Sequence, residues 1–190
     1  YPGDTKHWRC TCGGLLSLVF TPAFPRDRIT ARPPSMWRYR EAVPVDEDTH
    51  IVSFGEGLTP LLPVEVDGRE VLVKQDHLFP TGSYKDRGAS VLVSRILELG
   101  IDRVVEDSSG NAGAAVAAYC AKAGVVCDIY VPASNSPAKL AQIESYGARL
   151  HPIPGTREDT ARTVLRAAEN TYYASHSYNP FFFHGTKTFA

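Results

Sequence analysis

From residue 85 to residue 174 the apolar positions alternate between a helical spacing and short strand-like runs. Val91, Leu92, Ile96, Leu97 and Leu99 mark the buried stripe of a helix of roughly four turns, closed by Gly100. Ser83 followed by Asp86 predicts a capping box at its start, which puts Lys85 in the first turn. Arg103-Val104-Val105 reads as a short strand, and an alanine-rich helix then runs through Ala118 and Ala121 to Gly124. Val125 to Val131 is the next strand. Ser136 as N-cap and Pro137 as first helical residue open a helix through Leu140 and Ile143 that stops at Gly147. Leu150 to Ile153 is a third strand. Thr156 with Asp159 predicts a second capping box, for a helix carrying Val164, Leu165 and Ala168, and Tyr172 to Ala174 is a fourth strand. Such alternation across short links predicts an α/β fold, an open, twisted parallel sheet with helices on both faces.

Upstream the rhythm is lost. Residues 13 to 55 are rich in proline and aromatics and keep neither period, so they read as an extended arm, with a short helix or an interface strap at Trp37 to Glu41. Gly55-Glu56-Gly57 makes a tight turn. The runs Leu61 to Val66 and Glu70 to Lys74, joined by Asp67-Gly68, predict a β-hairpin. The expected organisation is an arm over 1–54, strands over 55–84 that belong to an incomplete larger domain, an α/β unit over 85–178, and over 179–190 the start of a return to the larger domain.

At 190 residues and 43% hydrophobic, the chain can bury a substantial core. Twenty basic against 21 acidic residues, with no long run of either sign, argue against a nucleic acid or an anionic membrane as partner and leave small molecules. No apolar run nears the roughly 20 residues that span a bilayer, so the cytoplasm is the expected location. The start at Tyr1 and the end at Ala190 suggest a fragment. Of four cysteines, Cys120 and Cys127 read as core residues, whereas Cys10 and Cys12 are either half of a zinc site or a pair of reduced thiols in a turn.

Two stretches carry candidate chemistry. Lys85 would stand at the positive end of a helix, where an ammonium is disfavoured and its pKa is expected to fall. That suits a nucleophilic amine that forms a Schiff base, although position alone favours a solvated lysine. Asp107 to Gly113 follows the first strand of the α/β unit, where open sheets bind ligands. Ser108 and Ser109 offer hydroxyls, Gly110 and Gly113 allow close approach, and the helix beyond presents free N–H groups to a carboxylate or phosphate. The same Ser-Ser-Gly-Asn run also suits a simple helix cap.

Together, Gly55-Glu56-Gly57-Leu58-Thr59-Pro60-Leu61, Pro80-Thr81-Gly82-Ser83-Tyr84-Lys85-Asp86-Arg87-Gly88 and Ser108-Ser109-Gly110-Asn111-Ala112-Gly113 resemble the threonine synthases, pyridoxal-phosphate enzymes of the tryptophan synthase β-subunit type. Lys139-Leu140, Tyr146-Gly147-Ala148, and Asn179-Pro180 leading to Gly185-Thr186-Lys187-Thr188 extend the resemblance along the chain. It implies that Lys85 holds pyridoxal 5'-phosphate and moves protons, that Asn111 hydrogen-bonds the cofactor's phenolic oxygen, and that Tyr84, where phenylalanine is commoner, lies beside the ring. Ser108, Ser109, Gly110, Asn111, Ala112 and Asn179 would bind the substrate, O-phosphohomoserine. Cys10 and Cys12 would be the second half of a structural zinc ribbon. A homodimer is left open.

Two departures qualify these roles. The glycine-rich loop for the cofactor phosphate and the residue facing the pyridine nitrogen would lie beyond Ala190, so weak cofactor binding is expected of this chain. Asn179-Pro180 is followed by Phe181-Phe182-Phe183-His184, without the arginine that phosphohomoserine-using relatives tend to carry there. The rivals are a serine/threonine dehydratase or a sulfur- or sulfite-using synthase, and a non-catalytic remnant. A nucleotide-binding domain is disfavoured, since no Gly-x-Gly-x-x-Gly follows the first strand.

Overall fold

A computed structural model describes residues 1–189, so Ala190, the last residue of the expected return segment, lies outside the described residues. In chain order the elements are α1 (Arg26–Ala31), the hairpin β1 (Leu61–Val66) and β2 (Arg69–Lys74), then α2 (Lys85–Glu98), β3 (Arg103–Glu106), α3 (Asn111–Ala123), β4 (Val126–Pro132), α4 (Pro137–Ser145), β5 (Arg149–Ile153), α5 (Arg157–Ala167), β6 (Tyr172–Tyr173) and α6 (Pro180–Thr186). The last four strands form one parallel sheet in the order β5-β4-β3-β6. Helices cover both faces, unequally. Val104, Cys127 and Ile129 are buried under apolar residues of α2, α3, α4 and α6, whereas Val105 and Tyr173 meet Val164 of α5 on the other side.

The hairpin forms as the Asp67-Gly68 signal predicts. Both turn residues have positive φ, 51° and 73°, and Val66 pairs with Arg69 across the turn. The Thr156–Asp159 capping box is present, and Gly124 ends α3 in the left-handed region. Cys120 and Cys127 are buried, as expected of core residues. The Ser83–Asp86 capping box does not form. Tyr84 is the N-cap, already helical, and the Asp86 carboxylate instead accepts from the Thr81 N–H (3.1 Å) and the Thr81 hydroxyl. Asp86 thus turns back on the Pro80–Ser83 loop rather than closing a reciprocal cap with Ser83.

The arm straps itself to α2. Met36, Trp37, Val43 and Val45 pack with Val91, Ser90 Oγ donates to the Val52 carbonyl (2.7 Å), and Glu98 caps the Asp46 and Glu47 N–H groups. Trp37 lies in a 3-10 helix, Met36–Ala42, interrupted at Tyr39. Helix α1 buries no residue, which is why no apolar period announced it. No helix among the described residues is long and apolar enough to cross a membrane.

Candidate functional site

Because each strand of the parallel sheet is entered from a helix running the opposite way, α2, α3, α4, α5 and α6 all begin at the carboxyl edge of the strands. Lys85 is the first residue of α2, and the Asp107–Gly110 turn leads from β3 into α3 on the same edge. Gln142 of α4 reaches the loop before α2, donating from Nε2 to the Thr81 carbonyl at 2.9 Å.

Lys85 Nζ lies 4.8 Å from the Tyr84 ring centroid and 5.7 Å from that of Phe182, a residue of α6. Phe182 reaches this position because α2 carries Gly88 there. A Cβ at Gly88 would stand 2.4 Å from the ring. Gly185 allows the same closeness one turn on, where a Cβ would meet the Arg87 carbonyl oxygen at 2.1 Å. Behind Lys85, Arg87 is buried in an ion pair with Asp76 (2.9 Å) and donates to the Thr188 carbonyl (3.0 Å), fixing the base of α2 to the segment after the hairpin. Burial works to raise the Asp76 carboxyl, but the Arg87 guanidinium and the Thr59 hydroxyl outweigh it and hold it below its ordinary value. For Asp86 burial wins over the Thr81 bonds, and its pKa is pushed up to about 6.

The turn after β3 is sterically determined. A Cβ on Gly113 would lie 1.9 Å from the Ser108 carbonyl oxygen, so the chain can fold back on the first turn of α3 only with glycine there. Ser108 Oγ accepts from the Gly110 N–H (3.3 Å), Ser108, Ser109 and Gly110 are partly exposed, Asn111 is exposed and Ala112 is buried. The first-turn N–H groups of α3 have no intrahelical acceptors. Both residues before the turn are anchored. Asp107 accepts from the Tyr173 hydroxyl (2.6 Å) and pairs with Arg157 (2.7 Å), and Glu106 Oε1 stands 2.6 Å from His176 Nδ1. Burial raises the Glu106 carboxyl against the pull of His176.

Asn179, expected near substrate, is buried as the N-cap of α6. Its oxygen accepts from the Phe181 N–H (3.0 Å) and its nitrogen donates to the Tyr172 hydroxyl (2.7 Å), so both polar atoms are engaged inside the fold. Tyr84 is exposed beside Lys85. Cys10 and Cys12 lie at the surface with their sulfurs 3.1 Å apart. The Tyr1 hydroxyl, above all, lowers the Cys10 thiol to about 7, and among the described residues no group of three or more His, Cys, Asp or Glu is set to hold a metal.

In the sequence Glu56 is marked only as part of a turn, and its role is set by the fold. Fully buried, it accepts from the Trp37 indole (3.1 Å), the Ser53 hydroxyl (3.2 Å), the Phe54 N–H (2.8 Å) and the Tyr119 hydroxyl (2.7 Å), joining the arm, the turn and α3. His176 is likewise unmarked in the sequence. Its partner lies 70 residues away, so no local pattern could have linked them.

A profile of the family described as "Pyridoxal-phosphate dependent enzyme" matches residues 52–190. The threonine synthase of Methanocaldococcus jannaschii is 38% identical over 202 residues, covering 100% of this chain and 50% of that protein. That of Halalkalibacterium halodurans is 37% identical, covering 82% and 47%. The chain spans about half the length of the curated relatives it matches. Among solved structures, a pyridoxal 5'-phosphate-dependent aspartate racemase superposes with a TM-score of 0.57 at 32% identity, over 62% of this chain and 37% of that one. A T.th. threonine deaminase gives 0.58 at 28%, over 68% and 43%.

Proposed function

We propose, from the premise that this chain belongs to the pyridoxal-phosphate dependent enzymes, that it is the cofactor-holding part of a threonine synthase-like lyase converting O-phosphohomoserine and water to threonine and phosphate. The reading rests on one observation. A primary amine, Lys85 Nζ, opens α2 on the same sheet edge as the glycine-dependent turn that opens α3. The division into an arm over 1–54, a hairpin segment over 55–84, an α/β unit over 85–178 and a returning segment from 179 belongs to the same proposal.

The residues present fit a phosphorylated aldehyde cofactor. Lys85 supplies the amine that would hold it covalently, the exposed Tyr84 ring and Asn111 amide would flank it, and Gly113 lets the turn fold closely onto the start of α3, whose N–H groups suit an anion. When bound, pyridoxal phosphate supplies an electron sink for negative charge at the substrate Cα. Lys85 Nζ moves the proton to and from that carbon. The Ser108 and Ser109 hydroxyls and the N–H groups of Gly110, Asn111 and Ala112 take the substrate carboxylate at the helix start, which holds the Cα–H bond toward the amine.

The test is to incubate the protein with pyridoxal phosphate, reduce with borohydride and map the label. Pyridoxyl is expected on Lys85, none on this peptide in Lys85→Ala, and phosphate release from O-phosphohomoserine by the full-length protein. Label at another lysine would overturn the reading. A β-eliminating enzyme acting on serine or threonine is the second reading, favoured by the absence of arginine and lysine from residues 180–184. Keto-acid formation from threonine without turnover of O-phosphohomoserine would decide for it.

A further inference from the structure

We propose that Gln142 of α4 is a positioning residue: through the Thr81 carbonyl it sets the spacing between the Lys85 amine and the turn that opens α3, an inference that rests on the reading of Lys85 and that turn given above. The loop that leads into Lys85 is held from two sides. Thr81 is 4% exposed, and both of its donors, the N–H (3.1 Å) and the hydroxyl, go to Asp86 of α2. Its carbonyl is left for α4 and accepts from Gln142 Nε2 at 2.9 Å. A carbonyl can only accept, so this contact fixes which end of the Gln142 amide faces the loop. The same nitrogen lies 3.4 Å from the Tyr146 hydroxyl, one helical turn on, which gives its other proton a partner.

The next residue of α4 meets the other half of the site. Ile143 is 1% exposed, and its Cδ1 stands 3.2 Å from where a Cβ on Gly113 would be. Successive residues of a helix point about 100° apart, so a single turn of α4 touches the lysine loop with one side chain and the start of α3 with the next. Stability gives little reason for the glutamine. Gln142 is exposed, and holding a long, flexible side chain in one rotamer costs entropy that a single hydrogen bond offsets only in part. Ile143 already anchors α4 in the apolar core. What the amide adds is a fixed distance. Packing of α2 on α3 places the helix bodies, and the loop before Lys85 takes its position from Thr81. Asp86 belongs to α2, the helix that Lys85 begins, so its bonds to Thr81 carry no reference to where the α3 turn lies. Gln142 supplies that reference. A substrate carboxylate held at Ser108 to Ala112 presents its Cα–H bond to Lys85 Nζ only at one spacing, and a misplacement of about 1 Å costs on the order of a hundredfold in rate.

The experiment uses the full-length protein with pyridoxal phosphate and compares the wild type with two variants. Gln142→Met keeps the side-chain length and helix propensity but removes the donor, and Gln142→Lys restores one. Each is followed by borohydride labelling of Lys85, by thermal unfolding, and by exchange of the Cα proton for deuterium in D2O with O-phosphohomoserine and with threonine over a range of concentrations. In Gln142→Met the label and the unfolding temperature are expected to match the wild type. Maximal exchange should fall at least about tenfold while the half-saturating concentration changes by less than about threefold, since the carboxylate donors are untouched. Gln142→Lys should recover most of the rate. Wild-type exchange in Gln142→Met, or a loss that Gln142→Lys does not recover, overturns the positioning role and leaves the reading of Lys85 standing. So does a loss matched by a lower unfolding temperature and less label, the mark of a contact that serves stability alone. Absence of label on Lys85 in the wild type, or no exchange with either amino acid, overturns both.

Discussion

Asp86 follows Lys85 and is fully buried, with both carboxylate oxygens on Thr81. Its pKa, pushed up to about 6 from an ordinary 3.8, has a defined consequence for stability. The folded state holds this proton more tightly than the unfolded chain, so the group's contribution is greatest below about pH 4 and declines as the pH rises to about 6. The decline amounts to about 3 kcal/mol at most. Urea unfolding of the wild type and Asp86→Asn across that range is expected to differ by this falling slope. Parallel curves would refute it. Gly113 is a second residue with a sharp expectation. Its missing Cβ leaves room for the Ser108 carbonyl oxygen, so Gly113→Ala must displace the turn. Loss of about 2 kcal/mol or more is expected by thermal unfolding, together with at least tenfold weaker pyridoxal phosphate binding by fluorescence. Unchanged binding would remove the turn from the site.

At the scale of elements, the site depends on how helices are held rather than on their own propensity. Glu56 gathers donors from the arm, its own turn and α3, and Trp37 also bonds Ser90 of α2. Glu56→Ala leaves several buried donors unpaired at once, and a loss of about 3 kcal/mol or more is expected in chemical denaturation. A loss below about 1 kcal/mol would show that the network does not couple the arm to the helices. The α2–α6 contact makes the complementary case. Gly185→Ala would drive a methyl into the Arg87 carbonyl and lift Phe182 away from Gly88. Lower stability is expected, together with slower modification of Lys85 by pyridoxal phosphate, since the floor under the amine would move. A variant that labels at the wild-type rate would separate α6 from the site.

At the scale of the molecule, the hairpin is the element with least cover. Leu61, Leu62, Val64, Val66, Val71, Leu72 and Val73 are exposed although their period and composition belong to a buried sheet. Two exposed apolar strands with open edges favour pairing with other chains. The 190-residue chain is therefore expected to self-associate with rising concentration in analytical ultracentrifugation, and Leu62→Lys with Leu72→Lys should reduce it. A monomer at all concentrations would show that the hairpin needs no cover.

What the sequence determined by itself is what local chemistry and short-range periodicity encode. Asp67-Gly68 specified the hairpin because both residues tolerate positive φ, Thr156 and Asp159 closed a reciprocal cap, and the alternation of periods declared a parallel sheet whose carboxyl edge collects helix starts. From that edge, Lys85 and the Ser108–Gly113 turn followed as candidate chemistry. Only the tertiary structure decided which partners the polar groups took. Ser83 lost Asp86 to Thr81, Asn179 spent its amide on α6 and Tyr172, and Glu106 met His176. The physical reason is common to all three: a buried polar group must be satisfied by whatever the fold brings within about 3 Å, and sequence distance has no bearing on that choice.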